Sequence, residues 1–77
     1  MEKYQEALAE LIKLSGVSQR WLSKQLGVTH MAVYYVLHGQ RSLTVDKFAK
    51  WCKALGATVT VEWKNPGDER ERKKWVL

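Results

Sequence analysis

The stretch from Thr29 to Gly39 holds five side chains able to hydrogen-bond, stack or make apolar contact: His30, Met31, Tyr34, Tyr35 and His38. In a helix each residue advances about 100°, so with His30 as origin Tyr34 lies at about 40°, His38 at about 80°, Met31 at about 100° and Tyr35 at about 140°. Val36, Val33 and Leu37 fall at about 240°, 300° and 340°. One side is therefore aliphatic and suited to burial, and the other is a stripe of large donors, acceptors and rings. Solvated helix faces usually carry Lys, Glu and Ala; Met31, Tyr34 and Tyr35 would expose apolar area unless a partner covers them. The alternative is a helix buried on both sides, with both tyrosines in the core.

The chemistry this stripe offers is recognition, not bond-making. Cys52 is the single cysteine, on the inward face of its helix, and reads as a small core residue. His30 and His38 lie two turns apart without a carboxylate to complete a catalytic or metal-binding set. Paired carboxylates, a Ser/His/Asp set and a Gly-rich phosphate loop are all missing, so we expect no enzyme, no metal and no cofactor.

Charge distribution narrows the partner. The chain has 77 residues and a formal net charge of +5. From Leu11 to Val45 it carries no Asp or Glu, but it does carry Lys13, Arg20, Lys24 and Arg41. Such a window can approach a polyanion without like-charge repulsion, and its cations can displace condensed counterions. The longest apolar run, Met31 to Leu37, falls far short of the ~20 residues of a membrane span. Glu2, Glu6 and Glu10 argue against a leading signal or transit peptide, and we expect a cytoplasmic protein.

Four helices must position the stripe. Residues 2–14 form the first, with Tyr4, Leu8, Leu11 and Ile12 at helical spacing and Ser15-Gly16 ending it. Ser18 caps a second helix over 19–26, with Leu22 and Leu26 inward. Gly27-Val28 is a tight break, and Thr29 caps the third helix over 30–38, closed by Gly39. A polar loop spans 40–43. Thr44 then caps a fourth helix over 45–55, with Val45, Phe48, Ala49, Cys52 and Leu55 on one face. Beyond Gly56 the period becomes two: Val59, Val61 and Trp63 alternate with Thr58, Thr60 and Glu62, predicting a strand over 57–63. Asn65-Pro66-Gly67-Asp68 reads as a turn, and 74–77 is a candidate return strand.

Gln19, Leu22, Ser23, Leu26, Gly27, Val28, Val33 and Val36 carry a resemblance. Five of them, the three leucine and valine positions 22, 26 and 28 with Val33 and Val36, read as the small core that fixes the interhelical angle. Ser23 allows close approach, and Gly27 supplies a turn. Over roughly residues 17–55 the chain resembles the phage repressor/Cro-like (XRE-type) helix-turn-helix family. The resemblance implies a mainly α fold: a four-helix lambda-repressor-like domain over 1–56, with a short C-terminal β-strand or hairpin in the 57–77 tail.

By the same resemblance, Gln19, His30, Met31, Tyr34 and Tyr35 read bases in the major groove of double-stranded DNA. Arg20, Lys24, Thr29, His38, Gln40, Arg41 and Ser42 lie where phosphates are held. Family members often carry Gln or Ser where His30 and Met31 stand, so the resemblance does not carry over a preferred base sequence. An edge strand bearing Val59, Val61, Trp63 and, on its return, Trp75 invites a second copy. The expectation is thus a transcriptional regulator, a repressor by preference, binding a roughly palindromic operator as a homodimer. The alternatives are an antitoxin bound to its toxin, a protein-interaction module on the same fold, and dimerisation through the fourth helix.

Overall fold

A computed structural model describes residues 3–77, so the expected helix start at Glu2 lies outside the described residues. Four helices precede a hairpin: α1 Lys3–Ser15, α2 Gln19–Leu26, α3 His30–Leu37, α4 Val45–Ala54, β1 Thr60–Asn65 and β2 Asp68–Val76. Each helix start after the first is fixed locally. The hydroxyls of Ser18, Thr29 and Thr44 accept from the N–H groups of Trp21, Ala32 and Lys47, at 3.0, 3.2 and 3.3 Å. These bonds satisfy donors that have no partner within the helix. Gly27, at φ 68°, turns the chain out of α2 in the left-handed region and returns its N–H to Lys24 and Ser23 carbonyls.

The core lies where the four helices meet. Leu8 of α1, Leu22 of α2, Val33, Val36 and Leu37 of α3, and Trp51 and Cys52 of α4 are buried together. Leu26, Leu43, Phe48, Leu55, Ala57 and Val59 pack around them. Ser23 is buried, and its hydroxyl donates to the Arg20 carbonyl at 2.7 Å. Its small size lets α2 lie close to α3 without leaving a polar atom unsatisfied.

Two positions depart from the sequence reading. Val28, expected in the core, is 38% exposed because it sits outside the α2–α3 contact, in the turn after Gly27. Val45, expected on the inward face of α4, is 64% exposed. It starts the helix beyond the end of the core, and Trp51, at 5% exposure, fills the interior instead.

The hairpin is longer and later than periodicity suggests. Val61 faces Trp75, Glu62 faces Lys74 and Trp63 faces Lys73, with a register slip between Lys64 and Asn65. Its β2 strand is exposed throughout. The radius of gyration, 14.7 Å, exceeds the ~11.5 Å of a compact chain of this length. The excess reflects an elongated molecule, 46 × 22 × 20 Å, whose hairpin packs mainly on itself.

Candidate nucleic-acid interface

Helix α3 has two unlike sides. Val33 and Val36 are buried on the side of α3 that packs against α1 and α2, whereas Met31 is 41% and Tyr34 38% exposed. His30 is exposed and Tyr35 half-buried. The polar and aromatic stripe is therefore open, and the tyrosines are not core. Its side chains make an ordered surface. The Tyr34 ring stacks on the His38 imidazole, with centroids 3.8 Å apart. It also meets Tyr35 edge-on at 5.9 Å, and the Arg41 guanidinium lies 5.7 Å over the Tyr35 ring. Aromatic and cation–π contacts of this kind restrict large side chains before any partner arrives.

The flanks are also held. Gln40 and Arg41 N–H groups donate to the Tyr35 carbonyl at 2.8 and 3.2 Å, so the loop folds back onto the end of α3. Gln5, buried in α1, donates its amide to the Arg41 carbonyl at 3.1 Å. The Leu43 N–H donates to the Tyr4 hydroxyl at 3.2 Å. Gln40, Arg41 and Ser42 remain exposed at the surface of this fastened loop. At the start of α2, Gln19 is half-buried beside the exposed Arg20, with Lys24 one turn on. The Thr29 oxygen is committed to capping α3.

Electrostatics leave these cations available. Among the described residues the ion pairs are Lys64–Glu62 at 3.8 Å and Arg70–Asp68 at 3.3 Å, both within the hairpin. Arg20, Lys24 and Arg41 have none there. Beside Arg41 and Ser42, a groove of about 220 Å³ is walled by Lys47 and Lys50 of α4 and floored by Val36 and Trp51. Neither lysine was singled out by sequence, because α4 read as a packing helix or an alternative dimer surface, not as a DNA-facing one. Gln5 was missed too; a polar residue three positions before Leu8, on the apolar face of α1, was the available signal.

Four of the expected DNA-facing residues, Tyr34, Tyr35, His38 and Arg41, thus form one connected surface. His30 and Met31 continue it towards the start of α3. The apolar residues expected at a subunit interface, Val61, Trp63 and Trp75, are exposed on the hairpin, whereas Val59 packs partly against the helical core. Cys52 is buried, and burial pushes its thiol above the ordinary value of 9.0, away from the reactive thiolate. Among the described residues no cluster of three or more His, Cys, Asp or Glu could hold a metal, and no helix is long and apolar enough to cross a membrane.

The helix-turn-helix family model matches residues 5–61, which takes in α1 from Gln5 onward, the whole of α2, α3 and α4, and the start of β1. Comparisons with curated proteins and with solved structures give no match.

Proposed function

The chain belongs to the helix-turn-helix family of DNA-binding proteins, and from that premise we propose that it is a sequence-specific regulator that occupies an operator as a two-fold dimer. One observation carries the reading: α3 buries Val33 and Val36 completely while leaving Met31 and Tyr34 open to solvent. A major groove about 12 Å wide admits one such helix, and its base edges distinguish all four pairs. His30 donates to guanine N7 or O6, Met31 packs on a thymine methyl, and Gln19, Tyr34 and Tyr35 complete the base-facing set. Arg41, launched from a fastened loop, leads the phosphate contacts, with Arg20, Lys24, Thr29, His38, Gln40 and Ser42 around it. Repression follows from occupancy of the site alone.

The hairpin supports the dimer. A two-stranded hairpin exposed on all sides is marginal by itself. Leu77 N–H donates to the Val59 carbonyl at 2.8 Å, so by alternation Val61 and Trp63 also turn their backbone groups to β2. Thr60, Glu62 and Lys64 turn theirs to the free edge of β1. Antiparallel pairing of two β1 edges centred on Trp63 sets Glu62 opposite Lys64 of the second copy, twice. Centring it on Glu62 would set two carboxylates face to face. The first register is self-complementary, and it extends the Val61, Trp63 and Trp75 face across both copies. Two recognition helices then meet half-sites about one turn (~34 Å) apart.

The test is fluorescence anisotropy of a labelled duplex at stepped salt, with sedimentation of the same samples. Tight binding that weakens linearly in log–log against salt, by a species of twice the chain mass, supports the reading. Binding indifferent to salt contradicts it.

A further inference from the structure

We propose that Gln5 of α1 is a positioning residue for DNA binding, holding the Arg41 peptide so that the guanidinium arrives at the phosphate already placed. This rests on the reading of Arg41 as a phosphate contact. Gln5 is 3% exposed and one of two buried polar residues among those described, yet it lies in a face otherwise built from Leu8 and its apolar neighbours. A primary amide buried there is tolerated only when bonded, and a Leu or Met would pack without that demand. One bond it makes reaches 36 residues along the chain, to the carbonyl of Arg41. A carbonyl oxygen only accepts, so the amide nitrogen must face it, which fixes the orientation of the Gln5 side chain.

The Arg41 peptide is therefore held from both sides. Its N–H bonds the Tyr35 carbonyl at the end of α3, and its C=O receives the Gln5 amide from α1. Two residues on, the Leu43 N–H is tied to the hydroxyl of Tyr4, whose own ring is set edge-on against Phe48 at 5.6 Å. Arg41 and Ser42 thus project from a short span fastened to α1 at two points, while the rest of the loop lies at the surface. Loops without such ties must be ordered when the partner binds, and that ordering weakens binding. Helix α1 lies off the stripe that faces the groove, so its contribution is to the geometry of the contact and not to the contact itself.

The test uses a random-sequence duplex, so that no operator is needed, and the full chain. Gln5→Met keeps length and apolar bulk but removes the donor. It should weaken binding about tenfold and flatten the salt slope by about one, as Arg41→Ala does. In the Arg41→Ala background Gln5→Met should cost much less, since the residue acts mainly through that side chain and only Gln40 and Ser42 remain for the same span to place. Amide exchange should quicken at 40–43 and not in α2. An unchanged salt slope, or an equal loss in both backgrounds, overturns the proposal, because a purely structural residue acts whatever stands at 41. Should Gln5→Met fail to fold, Gln5→Leu, which also removes the donor but keeps apolar bulk, decides by the same readout. Wild-type protein without salt-dependent binding would remove the DNA-binding reading itself. A normal wild type and a flattened Arg41→Ala slope, with Gln5→Met unaffected, would remove this inference alone.

Discussion

The His38 imidazole lies flat against the Tyr34 ring, centroids 3.8 Å apart and planes at 22°, while its Nδ1 sits 2.9 Å from the Tyr34 carbonyl oxygen. A carbonyl oxygen accepts, so Nδ1 carries a hydrogen; Nε2 is the nitrogen left for a partner, and it donates to a phosphate only when it carries a hydrogen too. Tyr34 thus does two things: it lies open to solvent on the α3 stripe, and its ring fixes a neighbour one turn on. The two roles separate by substitution. Tyr34→Phe should keep the stack and the salt slope but relax base preference by about 1 kcal/mol. Tyr34→Ala should lose both, and competition binding against varied duplexes at two salt concentrations distinguishes the outcomes.

The division between reading and holding makes a sharper demand on His30, Met31 and Arg41. His30→Ala or Met31→Ala should cost about 1–3 kcal/mol at one position of the half-site and leave other positions alone. Arg41→Ala should weaken every sequence alike and reduce the salt slope by about one. A change of preferred sequence in Arg41→Ala would mean that the contacts have been assigned to the wrong side chains.

Much of this fold was legible because its signals are local. Ser18, Thr29 and Thr44 cap helices through N–H groups three residues on, and Gly27 adopts the left-handed conformation its place after Leu26 implies. Helical spacing gathered the stripe onto one side of α3 but left open whether that side was core; the exposure of Met31 and Tyr34 decides it. Burial at element ends was not legible, since it depends on what other elements cover: Val28 and Val45 are apolar, and the described residues cover Val28 only in part and Val45 still less. The second strand was legible only at its end, 74–77, and its first part was hidden for another reason. Its charged run Asp68–Lys74 has no apolar alternation, and only pairing with β1 reveals it as a strand. Least visible was Gln5, whose partner is 36 residues away.

The β1 edge yields a charge-swap test of the dimer. Glu62→Lys or Lys64→Glu each places two like-charge pairs across the proposed two-fold and should weaken dimerisation about tenfold. The double exchange restores opposite charges and should recover most of the loss, as read by sedimentation equilibrium at low salt. Removing residues 60–77 leaves Ala57 and Val59 on the core and should give a folded monomer. A truncated chain that stays dimeric places the interface on α4.

Stability can be divided between backbone and packing. A Cβ on Gly27 would meet nothing within 4 Å, but φ there is +68°. Gly27→Ala should therefore destabilise by about 1 kcal/mol through conformation alone. Leu22→Ala opens a cavity at a fully buried site and should cost about 2–5 kcal/mol. Urea unfolding monitored by the buried Trp51 measures both; equal losses would mean that the turn packs against more than the static structure indicates.

The central claim, that the open side of α3 enters a major groove, is tested most directly by selecting bound duplexes from a random pool and sequencing them. The account predicts one enriched, two-fold symmetric motif with half-site centres about one helical turn apart, redirected within each half-site by His30→Ala or Met31→Ala. Capture of duplexes without any enriched sequence, or the same motif from all three proteins, would contradict it.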